Sequence, residues 1–332
     1  MPQYLLRRER RRIGSLARSV AVGLVLAAVA GRATAEDYPT RPITIVVAFP
    51  AGGYADSFAR ILGDRLSARL GQSVVIENRG GAGGNIGAAA VAHTTPDGYT
   101  LLITTASIAV NETYYKTKSY AAADLKAVAI PAGAPESLCV NPADPAKTLG
   151  EVVASAHDKQ LDYASPGVGT SSHVAAAYFF KELAKVDPVQ VPFQGGAPAV
   201  NAVMGGHVRV LVGTLPGYAS QVRAGGLRAL AVASEQRLPE FPDIPTYGEG
   251  GFPGFVAETW VGVFAPAKID PAIAQKLNEA INASVSEPAT AARLKTLTMQ
   301  TRVRDLATSE AYFASEIANW GKMVKAIGIS TD

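Results

Sequence analysis

The stretch "ITIVVAFPAGGYADSFARIL" (residues 43–62) decides the fold class, because it joins a buried strand to a helix. Residues 43–49 form a continuous apolar, β-rich run, as expected of a strand that is covered on both faces of a sheet. Phe58, Ile61 and Leu62 then recur at helical spacing. A proline and two glycines lie between the two patterns. We therefore predict a strand–loop–helix unit with a glycine-rich loop at the carboxyl end of the strand.

The alternation of strands and helices continues along the chain. Apolar runs at residues 73–78 and 99–105 predict a second and a third strand, and a small-residue helix is predicted between them at 85–94. This β-α-β-α-β order implies a parallel sheet with right-handed crossovers. A second unit of the same kind follows, in which "SLCV" (137–140) is predicted as a strand, and the chain ends in helices. We predict an α/β fold of two units.

The order of the elements also predicts how the two units are connected. We expect the chain to cross between them near residues 131–137 and again near 255–260. The first domain then comprises residues 36–134 with 257–332, and the second comprises 135–256. Because α/β sheets bind ligands beyond the carboxyl ends of their strands, we expect a ligand cleft between the two domains.

The first 35 residues have the features of a secretory signal peptide. A cluster of arginines opens the chain, the apolar run "VAVGLVLAAVAG" (20–31) follows, and Ala33 and Ala35 form an A-x-A cleavage site. We predict cleavage after Ala35 and export. A general secretory signal is the first interpretation, and Arg11 with Arg12 leaves twin-arginine export as the alternative.

Charge and hydropathy indicate neither a nucleic-acid partner nor a membrane span after residue 35. The whole sequence has 31 basic and 28 acidic side chains, and residues 1–35 hold seven arginines and one glutamate. Without that segment 24 basic and 27 acidic side chains remain, so the net charge is −3 and no nucleic-acid partner is indicated. No later stretch is apolar and long enough to cross a bilayer. Cys139 is the single cysteine, and we predict a buried thiol there.

The loop at residues 50–56 has the composition of an anion-binding loop. Gly52 and Gly53 allow the backbone to approach a ligand, and a helix that begins near Tyr54 to Ser57, with Ala55 or Asp56 near its N-cap, offers free N–H groups. A tight turn with Asp56 as a simple cap is the alternative. The chain contains neither G-x-x-x-x-G-K-[ST] nor G-x-S-x-G, which argues against a P-loop and a nucleophile elbow.

A second candidate loop is "SPGVGTSSH" (165–173), which again places glycines before a helix start. Its hydroxyls and N–H groups suit an anion, although simple helix capping is the alternative. A catalytic pair of Ser171 and His173 would make the protein a secreted esterase-like hydrolase. We rank that hypothesis lower, because side chains two positions apart at a helix start do not face each other. The four histidines have no metal-ligand spacing, so we predict no metal and no cofactor.

The chain resembles the Bug-type periplasmic solute receptors of tripartite tricarboxylate transporters. The segments that carry the resemblance are, in order, "YPTRPITIVVAFPAGGYAD", "NRGGAGGNIGA", "PDGYTLL", "YASPGVGTSSH", "VPFQGGAPAVNAVMGGHV", "LRALAVAS", "FPDIPTYGEGG" and "WGKMVKAIGI". The resemblance implies a type II periplasmic-binding-protein fold, in which two α/β domains are joined by two crossover strands around a ligand cleft.

The resemblance also implies a function. The protein is expected in the periplasm as a monomer, capturing a small carboxylate-bearing anion by hinge closure and delivering it to membrane transporter subunits. Backbone N–H groups and hydroxyls would hold the carboxylate, in part through water. A sensor that presents its closed form to a signalling partner is the alternative role.

Carried over position by position, the resemblance implies ligand-binding residues in both loops and at nearby strand ends. They are Phe49, Pro50, Ala51, Gly52, Gly53, Tyr54, Ala55, Asp56, Thr105, Ala106, Ser107, Gly169, Thr170, Ser171, His173, Phe193, Gly196 and Thr214.

The sequence departs from the family pattern at several of its positions. Tyr54 stands where the family usually has a small residue, and it would narrow the pocket or offer a ring and a phenol to the ligand. Phe193 and Gln194 replace a commoner Tyr-Lys pair, which removes a hydroxyl and a charge. Arg209 and Gly213 stand where aspartates are usual. The departure at Tyr54 bears most directly on which ligand is bound.

Overall fold

Ten β-strands and ten α-helices alternate along residues 38–331, the part of the chain that the computed structural model describes. The signal peptide and its cleavage site, predicted within residues 1–35, lie outside the described residues. The strands are β1 (Ile43–Val47), β2 (Val74–Asn78), β3 (Thr100–Thr105), β4 (Leu125–Val140), β5 (Asp162–Ser165), β6 (Val189–Pro192), β7 (Val210–Thr214), β8 (Arg228–Val232), β9 (Glu258–Pro266) and β10 (Gln300–Thr301).

Eight of the ten helices of residues 38–331 fall where the sequence patterns predict them, and the helices at Ser107–Tyr114 and Ala219–Arg223 are not predicted. The helices are α1 (Tyr54–Leu70), α2 (Asn85–Ala92), α3 (Ser107–Tyr114), α4 (Leu149–Asp158), α5 (Ser171–Tyr178), α6 (Gly196–Met204), α7 (Ala219–Arg223), α8 (Pro271–Ser286), α9 (Pro288–Thr296) and α10 (Leu306–Ile327). Within residues 38–331, none of them is both long and apolar enough to span a bilayer.

The strands pair in two sets that share β4. In the first set β1 lies between β2 and β3 and is parallel to both. This pairing confirms the parallel sheet predicted for the first three strands. Strand β9 runs antiparallel to β3 and to β4. In the second set β5 is parallel to β6 and β7, and β7 and β8 each pair with β4.

Strand β4 is longer than the sequence predicts, because it runs unbroken for 16 residues through both sets of strands. Its first part pairs with β9, and its last part, from Glu136, pairs with β7. The register with β9 shifts between Ala127 and Ala129 and again before Ala132, next to Pro131. The two crossings predicted near 131–137 and 255–260 therefore fall on β4 and at the start of β9. The domain boundaries at residues 134 and 257 stay predictions.

Aromatic side chains fill the core beside both sets of strands. Trp260 on β9 is almost fully buried, and its Nε1 donates to Glu316 of α10 at 2.9 Å. Phe179, which follows α5, packs with Tyr247 and Phe255 from the segment between β8 and β9, with ring centroids 4.7 to 5.5 Å apart. Burial of each large apolar side chain contributes roughly 1.5–3 kcal/mol. These contacts fix the strand ends, and with them the loops that border the cavity described next.

Candidate functional site

The first glycine-rich loop, residues 49–56, ends in a helix start without a side-chain cap. Helix α1 begins at Tyr54, within the predicted range, and its N-cap is Gly53, two or three residues before the predicted Ala55 or Asp56. Gly53 carries no side chain, so no side-chain oxygen accepts from the first turn of α1. Gly52 has a φ of 84°, a conformation that favours glycine. The loop therefore presents backbone N–H groups at the positive end of the helix.

Asp56 lies behind this loop. Its side chain is buried and accepts hydrogen bonds from Gly52 N at 3.0 Å, Arg60 Nε at 2.9 Å and Asn78 Nδ2 at 3.0 Å. Burial alone would raise the pKa of Asp56, but the bonds from Arg60, Gly52 and Asn78 lower it below its usual value. The ionised carboxylate thus ties the loop to α1 and to the end of β2.

The second glycine-rich loop, residues 165–173, ends in a capped helix start. Thr170 is the N-cap of α5, and its Oγ1 accepts from His173 N at 3.2 Å. Ser171 N donates to Ser107 Oγ at 3.1 Å, so a hydroxyl at the start of α3, which follows β3, also caps α5. Fewer N–H groups are left for a ligand here than at α1.

His173 is buried behind the second loop. Its Nδ1 accepts from Gly169 N at 3.3 Å, and its ring lies edge-on to Tyr114. Burial lowers the pKa of His173 to about 4, so the ring is neutral near pH 7. Ser171 Oγ has Thr259 and Glu136 as its hydrogen-bond partners. The arrangement gives no support to Ser171 and His173 as a nucleophile and its base.

A narrow cavity of about 60 Å³ lies between the two loops. Eleven of the predicted ligand-binding residues line it: Phe49, Pro50, Gly53, Tyr54, Ala55, Thr105, Ser107, Thr170, Ser171, Gly196 and Thr214. Eight further lining residues are absent from the predicted ligand-binding set, although the first two belong to the second candidate loop: Pro166, Ser172, Gly195, Leu211, Gly213, Gly217, Tyr218 and Thr259. None of these lining side chains carries a charge, so polar recognition in the cavity comes from backbone groups and hydroxyls.

The other predicted ligand-binding residues lie outside this cavity. Ala51 and Gly52 are exposed in the first loop, and Ala106 is buried. Gly169 supports the second loop with a φ of 75°. Phe193 lines a neighbouring cavity of about 170 Å³, which shares Phe49, Pro50, Pro166, Thr170 and Gly195 with the first.

Tyr54 brings an unpaired hydroxyl to the site. The residue is 7% exposed and lines the cavity, and its hydroxyl makes no hydrogen bond with any described residue. Burial raises the pKa of this phenol well above its usual value, so it remains a neutral donor. A buried polar group without a partner costs free energy, which a ligand acceptor would recover.

Glu136 of β4 is an ionisable group that sequence reasoning passed over. It is 1% exposed and lies behind the cavity wall, where Ser172 Oγ donates to its Oε1 at 3.0 Å and to its Oε2 at 2.9 Å. Ser171 Oγ lies 3.4 Å from Oε1. Burial raises the pKa of Glu136 to about 7, although the serine bonds lower it. An acidic residue within an otherwise apolar strand is the sequence signal that could have identified it.

Among residues 38–331, no group of three or more His, Cys, Asp and Glu side chains is placed to hold a metal ion.

Known proteins share this architecture and sequence. A family model described as the tripartite tricarboxylate transporter family receptor matches residues 58–329. The chain is 34% identical over 318 residues to Protein BugT of Bordetella pertussis, which covers 93% of this chain and 96% of BugT.

Two solved structures are also similar to this chain. The chain is similar to R. palustris Rpa4515 with adipate, with a TM-score of 0.85 and 32% identity over 89% of this chain and 99% of that one. It is also similar to MatC (Rpa3494) from Rhodopseudomonas palustris with bound malate, with a TM-score of 0.81 and 31% identity over 86% of this chain and 100% of that one. These matches, together with the similar structure of the periplasmic binding protein BugD (TM-score 0.84, 29% identity), confirm the predicted α/β periplasmic-binding-protein fold. The chain therefore belongs to the tripartite tricarboxylate transporter receptor family, the Bug-type receptors that its sequence resembles.

Proposed function

We propose that this receptor binds a small carboxylate-bearing organic anion in the cavity between its two glycine-rich loops. The observation that carries the proposal is the uncapped start of α1, where Gly53, Tyr54 and Ala55 line a cavity without charged lining side chains. Free N–H groups and the helix dipole favour an anion at that position. The hydroxyls of Thr105, Ser107 and other lining residues add polar contacts.

The relatives support a carboxylate as the ligand class. The similar structures contain adipate in one case and malate in the other, and both are dicarboxylates. Membership in the family supports a role in the periplasm and delivery of the ligand to a membrane transporter of the same family. We include that delivery step in the proposal.

Hinge closure fits the contacts between the two strand sets. Ser171 N donates to Ser107 Oγ at 3.1 Å, and the Tyr115 hydroxyl donates to Val168 O at 3.2 Å. Both bonds join the second loop to residues that follow β3. We propose that opening breaks these bonds while β4 and β9 bend, since those strands connect the two sets.

A thermal-shift panel tests the ligand class. Adipate, malate, citrate, glutamate and benzoate are each added to the purified receptor, with butylamine as a cationic control. A bound acid should raise the melting temperature by mass action, with about 2.7 kcal/mol of stabilisation at a hundred times its Kd. A panel in which no acid shifts the transition at millimolar concentration would contradict the proposal.

A further inference from the structure

A pair of serines in the cavity wall shares a buried carboxyl. Ser171 and Ser172 line the cavity, and both hydroxyls lie within 3.4 Å of Glu136 on the far side of the wall. Ser172 is the closer partner, with its Oγ 2.9 and 3.0 Å from the two carboxyl oxygens. Among residues 38–331, no lysine, arginine or histidine forms an ion pair with Glu136. Its charge is therefore uncompensated when the carboxyl is ionised.

The number of hydrogens on this wall limits what it can offer a ligand. A serine hydroxyl has one hydrogen, and an ionised carboxylate can only accept. With Glu136 ionised, the Ser172 hydrogen points to Glu136 and away from the cavity, so Ser172 presents only lone pairs to a ligand. With Glu136 protonated, the carboxyl donates to a serine oxygen, and the Ser172 hydrogen is free to point into the cavity.

A ligand carboxylate needs donors and is repelled by a nearby negative charge. Ionised Glu136 opposes it in both respects, because the charge lies one side chain behind the wall and the serine lone pairs face the ligand. Protonated Glu136 removes the charge and frees a donor. We propose that binding of a carboxylate in this cavity is coupled to the uptake of one proton from solvent by Glu136. This inference rests on the proposed function.

The other titratable groups around Glu136 do not replace it as the proton acceptor. The phenols of Tyr54, Tyr218 and Tyr247 approach it from α1, from the segment after β7 and from the loop before β9. Burial raises the pKa of each phenol well above its usual value, so all three are neutral. The pKa of Glu136, raised to about 7 by burial, places its titration in the range where binding is measured.

Three other ionisable side chains lie near Glu136, and none of them can take its place as the proton acceptor. Burial raises the pKa of the Cys139 thiol on β4 to about 12. His173 on α5 is turned to Gly169 and is neutral. Glu258 on β9 is partly exposed, lies 3.5 Å from Arg302 and has no bond to either serine. Glu136 is therefore the group in this wall that can change charge near neutral pH.

Calorimetric titration with adipate tests the coupling, because the carboxyls of adipate ordinarily titrate well below pH 6. We expect the Kd to be constant below about pH 7 and to rise by up to tenfold per pH unit above it. Repeating the titration at pH 7.5 in phosphate and in Tris should show uptake of more than about half a proton per adipate.

Glu136→Gln keeps the size of the side chain and fixes it in a neutral, donating form. We expect this variant to bind adipate at pH 8.5 about as tightly as the parent does at pH 6, with no proton uptake. Glu258→Gln, the same change on the neighbouring strand, is the matched control and should retain the pH dependence of the parent. If Glu136→Gln does not fold, the buffer comparison on the parent protein decides.

The outcomes separate the two proposals. Adipate binding that is independent of pH, or a pH dependence that persists in folded Glu136→Gln, would overturn the coupling and leave the proposed function intact. If none of adipate, malate, citrate, glutamate and benzoate binds between pH 6 and 8.5, the proposed function fails and the coupling fails with it.

Discussion

The two glycine-rich loops that border the cavity begin their helices in opposite ways. At α1 the N-cap is Gly53, which leaves the first N–H groups without a side-chain acceptor, and Asp56 is held behind the loop. At α5 Thr170 and Ser107 accept from the first N–H groups, and the wall is made of serine hydroxyls backed by Glu136. Similar sequence patterns thus produce one wall of fixed donors and one whose donors depend on protonation.

The largest expected effect comes from closing the uncapped helix start. In Gly53→Asp the new carboxylate would cap α1 and place a negative charge in the cavity. Two like charges about 4 Å apart at an effective dielectric constant of 20 repel by about 4 kcal/mol, so adipate should bind about a thousandfold more weakly. Calorimetry measures the loss, and the melting temperature without adipate should not fall, because aspartate is a good N-cap.

Gly53→Ala is the control for this change. A Cβ at position 53 would have Pro50 O as its nearest contact at 3.9 Å, so the methyl group fits. Adipate affinity in Gly53→Ala should stay close to that of the parent. Equal losses in both variants would mean that the backbone conformation at position 53, and not the free N–H groups, matters for binding.

The next largest expected effect is a pH dependence of stability that Glu136 causes in the absence of ligand. Because the folded protein holds a proton on Glu136 up to about pH 7, against an ordinary value of 4.5, its contribution to stability is full below pH 4.5. That contribution, at most roughly 3 kcal/mol, is lost as the pH rises through 7. Urea unfolding should show this decline in the parent and a smaller one in Glu136→Gln. Parallel declines would show that Glu136 does not titrate in this range.

Asp56→Ala tests whether the first wall depends on the carboxylate behind it. The change leaves Gly52 N without its acceptor and removes one of the two acceptors of Asn78 Nδ2, so we expect about 2 kcal/mol less stability and roughly tenfold weaker adipate binding. Urea unfolding and calorimetry measure the two effects. The exposed Asp64→Ala on the same helix should change stability by less than about 0.5 kcal/mol. Unchanged affinity in Asp56→Ala would mean that Asp56 stabilises the loop and does not contribute to ligand binding.

The smallest expected effect on stability is that of Tyr54→Phe. The hydroxyl has no hydrogen-bond partner among the described residues, so its removal should leave the free energy of unfolding unchanged or raise it by up to about 1 kcal/mol. The relative affinities for adipate and malate should change nonetheless, because the phenol lines the cavity. Identical affinities for both acids in parent and variant would show that the hydroxyl does not contact the ligand.

Local patterns predicted most of the fold. The strand–loop–helix unit at residues 43–70 could be recognised because its apolar run and its helical spacing lie within one short stretch. The N-cap of α1 was misplaced at Ala55 or Asp56, because the carboxylate of Asp56 accepts from Gly52 N and from Asn78 Nδ2, and Asn78 lies 22 residues further along the chain.

Long-range contacts account for what sequence reasoning missed. Pro131 and Pro135 argue against a strand, since proline cannot donate to a neighbouring strand. Strand β4 nevertheless forms around them, because it pairs with β9, more than 100 residues later, and shifts register near Pro131. Glu136 escaped notice for the same reason, since its serine partners lie 35 and 36 residues away.

Labelling of Cys139, the single cysteine, can measure the stability of one half of the sheet. Cys139 is fully buried on β4 among Ala164, Val203 and Leu211, which belong to the strand set of β5–β8 and its helix α6. Separation of the two loops moves this cover together with the thiol. A maleimide should therefore react only when that half of the sheet unfolds, so the labelling rate reports its local stability and not the opening of the cleft.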